Sequence, residues 1–512
     1  MKTQDAPQKL ADSAASHLQV PARYRFLRSL VLSILLAFLL ETGTLIGAPV
    51  ASPLVLSDWR PKRMLVFFVL SLLFVLWLTS STMCHARSKW LNSLRGIEPM
   101  RARRITCNLL ILCAATVLGW LVCHLIATIL SLPWDFRYGM IASFLAFSIT
   151  SLVVLRDVLS TKPEWGFLAI SLAFGTLLSA LMPAYSAISF DGFIHYDNSL
   201  AISYVCDAEY SGADAVMSSE NAAAWALFAN SQSESQYTLA DLSPSTISSI
   251  NQFLLDSDEG KDVVVREGTA CLNSSTYISS SMIGHLPNAA GLWLGRLLHL
   301  SCLGQFFLGR LLSIYFYCFV FFLAIKHLKS GKLILIAVAL IPSVLLLAAN
   351  YSYDPWCICL IAYSFARFIG CIQSGKSLTK EDGLSIGISF MLGSLVKAIY
   401  FPLAFVFLLV PDKLVGDHTA VRRYRLGVLT VIVLLLASFA IPFLTAGPGT
   451  GDTRGGETVN ASQQVLYILQ EPLSYMQVFI CFLSQFFSLD TTEGFLGYLN
   501  YSPFLFDRAI TV

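Results

Sequence analysis

The sequence predicts an all-α polytopic membrane protein of about eleven membrane segments, two of them short. Three observations predict it. Apolar residues make up 55% of the 512 and charged residues only 13%, about half the ~25% usual in soluble domains. Nine apolar runs approach the ~20 residues that a helix needs to cross a bilayer: 29–50, 64–83, 107–131, 139–155, 167–186, 305–325, 333–350, 355–372 and 426–446. Lys and Arg gather in short loops that fall on one side when these runs alternate, which marks that side as cytoplasmic. Backbone N–H and C=O groups need internal partners in lipid, so the runs are helices. The net charge of +2 and the lack of a basic stripe interleaved with aromatics speak against nucleic acid. The partner that composition implies is the lipid bilayer.

Residues 1–28 form a polar cytoplasmic tail that ends in Arg23, Arg25 and Arg28. The tail is too polar, and the first apolar run too long, for a cleavable signal peptide. Residues 29–166 form a four-span accessory module. Its loop 84–106 carries six cations, Arg87 to Arg104, whereas the loop 51–63, with Arg60, Lys62 and Arg63, is the one discordant count. Glu41 and His124 are ionisable groups inside spans, where the readings are a functional group or snorkelling to the interface.

The span 167–186 delivers the chain to SFDGFIHYDNSL, which opens a polar segment, 187–286. That segment holds 13 Asp and Glu against Lys261 and Arg266. It cannot sit in lipid, and the topology places it outside the membrane. Helices are expected near 219–232 and 246–256. Cys206 and Cys271 are the candidate pair for a disulfide in an oxidising compartment. The other cysteines lie mostly in spans, where thiols act as small hydrophobes, and this is also the reading for Cys357 and Cys359.

Residues 287–446 form the core bundle. The stretch 286–300 mixes Leu and Trp with Arg296 and His299, which suits an interfacial helix. Arg310 enters the next span. The short outer loop AANYSYDPW holds Asp354 among Tyr351, Tyr353 and Trp356. An aromatic belt explains the rings but not the carboxylate. The run 384–411, interrupted by Lys397 and Pro402, predicts two short helices forming a hairpin with Lys397 at its apex, or one long kinked span. The loops 326–332 and 411–425 add cations to the cytoplasmic side. Residues 447–512 form an extracytoplasmic C-terminal segment, with a break expected at Glu471 and Pro472. The glycines of 447–456 lack the Lys-Ser/Thr end of a phosphate loop. Asn273 and Asn460 match glycosylation sequons.

Several quoted pieces, in order, resemble the DUF2142 family of bacterial membrane proteins: GLWLGRLLHLSCLGQFFLGRLL, LIPSVLLLAANYSYD, LVKAIYFPL, QQVLYILQEPLSY and FLGYLNYSPF. The resemblance covers roughly 167–505. The family's Asp-Glu pair reads Asp191-Gly192 here, and the chain ends soon after FLGYLNYSPF, where the family continues into further spans. The expectation is a shortened or truncated member. The layout of that family resembles GT-C glycosyltransferases, which implies transfer from a polyprenyl-phosphate sugar to a glycan acceptor at the outer face of the cytoplasmic membrane, for assembly of envelope glycans.

Such chemistry needs a base for the acceptor hydroxyl and cations or a metal for the phosphate. On the resemblance, Asp191 is the candidate base. His195 is four residues on, which is one helix face, and Asp197 is a weaker partner. Asp354 is the second carboxylate or a metal partner, and a divalent cation is the candidate cofactor. Arg310, Lys397 and Arg296 are the candidates to hold phosphate around one outer cavity. The bland readings are a solvated loop with an N-cap aspartate at Asp191, an N-cap at Asp354 and snorkelling for the three cations. The rival functions are a transporter or flippase of a lipid-linked glycan, and an inactive or structural membrane protein.

Overall fold

The computed structural model describes residues 22–47, 54, 59–78, 99–130, 136–154, 156, 161–181, 192–204, 210–211, 264–265, 280–375, 377–445, 461–486, 498–499 and 502–503. Asp191, Cys206, Cys271, the helices expected at 219–232 and 246–256, the glycine-rich loop and both sequon asparagines, Asn273 and Asn460, lie outside them. The chain divides into two compact units, residues 1–107 and 108–512.

In the first unit, α1 (Ala22–Gly47) packs against α2 (Pro61–Leu78). Glu41 is fully buried and takes both donors of Arg63, Nε and Nη2, at 2.7 Å each. The Arg60 amide adds a third bond at 3.1 Å. A two-pronged carboxylate–guanidinium pair is among the strongest side-chain contacts, and in lipid neither charge has water to fall back on. Glu41 is therefore neither snorkelling nor a lone charge.

The division falls within α3 (Pro99–Ile129). There follow α4 (Phe136–Val154), α5 (Pro163–Leu181), α6 (Gly192–Ser203), a 3-10 turn at Ser280–His285, α7 (Leu286–Leu297) and α8 (Cys302–His327). Next come α9 (Lys332–Ala339), α10 (Pro342–Ala348), α11 (Asp354–Ser374) and α12 (Lys380–Ser394). A 3-10 helix (Ala398–Leu409), α13 (Asp412–Val415), α14 (His418–Thr445), α15 (Ala461–Gln470) and α16 (Pro472–Phe486) complete the helices among the described residues. Two antiparallel two-residue pairings, Tyr210–Ser211 with Val264–Val265 and Tyr498–Leu499 with Ser502–Pro503, are the strands among the described residues.

Among the described residues, five helical stretches are long and apolar enough to cross a membrane: Phe26–Leu45, Thr106–Ile129, Pro163–Ala180, Cys302–His327 and Asp354–Ser374. Leu39, Leu73, Val153 and Ile334 stand exposed on helix surfaces, as lipid-facing residues do and as a water-soluble surface rarely allows. His124 is also on an exposed face, of α3.

The centre of the second unit is α8, half of whose residues are buried. Ser301 caps its start by accepting the Gly304 amide, and Lys326 complements the dipole at its end. Phe167 of α5, Ile314, Tyr317 and Phe321 of α8, and Leu345 and Ala348 of α10 share one core. One face of α7 is buried against α8. A Cβ on Gly291 would stand 2.5 Å from the Gly309 Cα, so the two backbones touch where any side chain would collide.

One expectation changes in form, and one pair of alternatives is resolved. The span 333–350 is two short helices, because Pro342 lacks an amide proton and pushes Ile341 out of the helical region, to φ −56°, ψ 124°. The run 384–411 is broken at Lys397, at φ −133°, ψ 84°. The chain then doubles back, with the Leu378 amide bonded to the Leu414 carbonyl and the Phe390 ring 5.2 Å from Phe407. That is the hairpin rather than the kinked span.

Candidate functional site

Four separated stretches meet at one place. Tyr196, Leu200 and Tyr204, spaced i, i+4 along and just past α6, enter a small core with Leu292, Phe306 and Tyr351. That packing also turns His195, in the first turn of α6, inward and nearly buried. The His195 ring lies 5.0 Å from the ring of His285 and 4.6 Å, edge-on, from that of Tyr353. His285 closes the 3-10 turn before α7 and lies 5.6 Å from Tyr353. The turn comes this close because residue 284 has no side chain: a Cβ there would stand 2.6 Å from the Tyr353 Cβ.

The next residue, Asp354, begins α11. Its amide bonds the Ser352 hydroxyl at 3.1 Å, and its carboxylate meets the Lys397 ammonium at 2.6 Å, both side chains partly exposed. The same ammonium lies 5.0 Å from the Tyr353 ring centre, within cation–π range. The break after α12 thus has a use: it turns Lys397 towards the start of α11. Asp354 stands at the first residue of the helix rather than at its cap.

His285 is held far below the usual imidazole range, at about 3, by burial first and by neighbouring His195 second. Its Nδ1 is buried with no hydrogen-bond partner among the described residues. Among the described residues no three His, Cys, Asp or Glu side chains are gathered to hold a metal ion.

The structure places the three cations apart. Arg296 is buried and reaches the C-terminal end of α6, where its Nη2 donates to the carbonyl and hydroxyl of Ser203 at 2.8 Å each. Its guanidinium stacks 3.8 Å from the Tyr204 ring centre. Arg310 is fully buried, its guanidinium 4.5 Å from the Phe306 ring centre. Neither snorkels. Of the named candidates, His195, Asp354 and Lys397 come together, Arg310 lies behind the aromatic layer, and Arg296 ties α6 down.

Sequence reasoning missed His285 and Asn288. Asn288, fully buried, donates to the carbonyls of Gly309 and Asn350 at 3.2 Å each, so it joins α7, α8 and the loop before α11. An Asn inside an apolar helix directly after a His-Leu-Pro was the signal. The aromatic-belt reading also fails for Tyr351, which is fully buried and donates its hydroxyl to the Phe306 carbonyl at 2.9 Å.

Residues 265–504 match a family model described as "Predicted membrane protein (DUF2142)". The match takes in His285, Tyr353, Asp354 and Lys397 but begins after α6 and the SFDGFIHYDNSL motif, so it is shorter than the resemblance over 167–505. No curated protein and no solved structure matches the chain.

Proposed function

We propose, from the match of residues 265–504 to the DUF2142 model of predicted membrane proteins, that the chain is a multi-pass glycosyltransferase of GT-C layout. In this reading eleven membrane segments hold the cluster at the extracytoplasmic face of the cell membrane, with the N-terminus inside. The donor is a polyprenyl-phosphate sugar and the acceptor an envelope glycan. Cys206 and Cys271 pair in the external segment.

The observation that carries the reading is the Asp354–Lys397 pair at the Tyr353 ring, which the rings of His195 and His285 also flank. Lys397 is the partly exposed cation, and Asp354 fixes its direction. An ammonium so placed can take a donor phosphate as its charge grows. The acceptor hydroxyl attacks the anomeric carbon, and its bond to the phosphate oxygen breaks with the electron pair leaving on phosphate. The hydroxyl proton goes to Asp191, with His195 orienting the acceptor. Arg310 adds positive potential from beneath.

The test compares envelope glycans and lipid-linked sugars in cells carrying the wild type, Asp354→Asn or Lys397→Gln, each checked for folding by its melting profile. The expected outcome is a fall of about 10²–10³-fold in transfer, the usual cost of removing one charge-stabilising donor, with the lipid-linked donor building up outside. Unchanged glycans in folded variants end the reading. A donor trapped on the inner leaflet favours a flippase instead.

A further inference from the structure

A second feature lies away from this cluster, between α12, the 398–409 helix and α14. It is a cavity of about 640 Å³, inside the ~300–1,000 Å³ range of ligand pockets. Its walls are apolar, among them Leu384, Phe390 and Val431, and its hydrogen-bonding groups lie at one end. The gap exists because the facing helices lack side chains there. A Cβ on Gly427 would meet nothing within 4 Å, and one on Gly387 only Val431, at 3.9 Å.

The polar end carries Lys380 and Arg423, both exposed and neither with an ion-pair partner among the described residues. The nearby carboxylates are engaged elsewhere. Asp382 pairs with Arg367 at 2.9 Å, Asp412 with Arg425 at 2.7 Å, and Asp417 accepts the Ala420 amide. Glu381 is exposed and adjacent in sequence, so it does not share a helix face with Lys380. Two uncompensated cations therefore stand at the mouth of an apolar slot. From Lys380 to Met391 the slot follows α12 for about 16 Å at 1.5 Å per residue. That is one half of a ~30 Å hydrocarbon layer.

We propose that this slot binds an anionic phospholipid of the leaflet on the basic-loop side, one acyl chain filling it and the phosphate resting on Lys380 and Arg423. Depth fits a single leaflet, the walls fit a hydrocarbon chain, and the charge fits a phosphate. The inference does not rest on the transferase reading, since the slot shares no residue with the Asp354–Lys397 cluster.

The experiment uses the purified full chain in neutral detergent, with binding read by native mass spectrometry and by the rise in melting temperature. The probes are dioleoyl phosphatidylglycerol, dioleoyl phosphatidylcholine, a polyprenyl phosphate and inorganic phosphate. A favourable contact of each cation with an anionic headgroup predicts about 10- to 30-fold tighter binding of phosphatidylglycerol than of phosphatidylcholine. The double variant Lys380→Gln, Arg423→Gln removes that preference and leaves the weaker chain binding. Gly427→Leu fills the slot and weakens both lipids together. Equal binding of the two lipids by the wild type, or a preference that survives the double variant, overturns the proposal. So does displacement of phosphatidylglycerol by inorganic phosphate, which marks a free-anion site, or by an equal amount of polyprenyl phosphate, which marks a substrate-tail site. Loss of a dimer in Gly427→Leu, with lipid binding unchanged, assigns the slot to a second copy of the chain.

Discussion

Lys397, Arg310 and Arg296 share a charge and differ in everything that decides its use. Lys397 keeps partial access to solvent and a carboxylate at 2.6 Å. Arg310 lies over Phe306 with no exposure, and Arg296 spends one nitrogen on the end of α6. Sequence spacing could not separate them, because burial depends on which helix packs opposite. His285 makes the point in reverse: burial beside His195 keeps it neutral. Its folded value of about 3 lies below the ordinary imidazole value of 6.5, so between those two limits the unfolded chain holds the extra proton. The stability it contributes is full above pH ~6.5 and falls as the pH drops, by up to about 1.4 kcal/mol per unit, until the folded group titrates near 3. Melting curves from pH 4 to 7 in detergent are expected to fall more steeply for the wild type than for His285→Asn. Parallel curves would show that His285 is accessible to protons in the folded state.

At the scale of elements, the glycines of GLWLGRLL and LGRLL find their reason in the contact between α7 and α8. Gly291 and Gly295 sit one turn apart on α7 against Gly309 and Gln305 of α8. Gly291→Leu must push the backbones apart. It is expected to cost about 1–3 kcal/mol, as overpacking usually does, with a lower melting temperature. Because α7 also carries Asn288 and Arg296, the same variant is expected to loosen α6 and so expose His195. An unchanged melting temperature would mean that the helices do not meet at these glycines. The helices themselves, the break before Pro342 and the turn at Lys397 follow from proline and polar residues legible in the chain. The backbone approach does not, since small residues occur in helices for many reasons.

For the molecule as a whole, alternating basic loops predict the orientation, and the pair Glu41–Arg63 bears on the one discordant loop. An arginine neutralised by a buried glutamate at 2.7 Å no longer weighs as a free cation beside the bilayer, which leaves Arg60 and Lys62 there. In a chain whose 12 native cysteines are replaced, Ser211→Cys is expected to react with a membrane-impermeant maleimide in intact cells. Lys329→Cys is expected to react only after permeabilisation. The opposite pattern would invert the topology and move the Asp354–Lys397 cluster to the cytoplasmic face, where an extracytoplasmic transfer reaction could not use it.

By itself the sequence determined the class of protein, the places where helices run and break, and three residues of the cluster, His195, Asp354 and Lys397. Those follow from apolar run length, proline chemistry and the rarity of charge beside a span, all of which are local. Only the tertiary structure decided that these three meet at Tyr353, that His285 joins them there, that Asn288 ties α7 to α8 and to the loop before α11, that Arg296 serves α6, and that Glu41 pairs with Arg63. The physical reason is that each is a contact between segments far apart in the chain. Helical periodicity says which face a residue shares with its own neighbours, and close packing of one helix on another decides what that face meets.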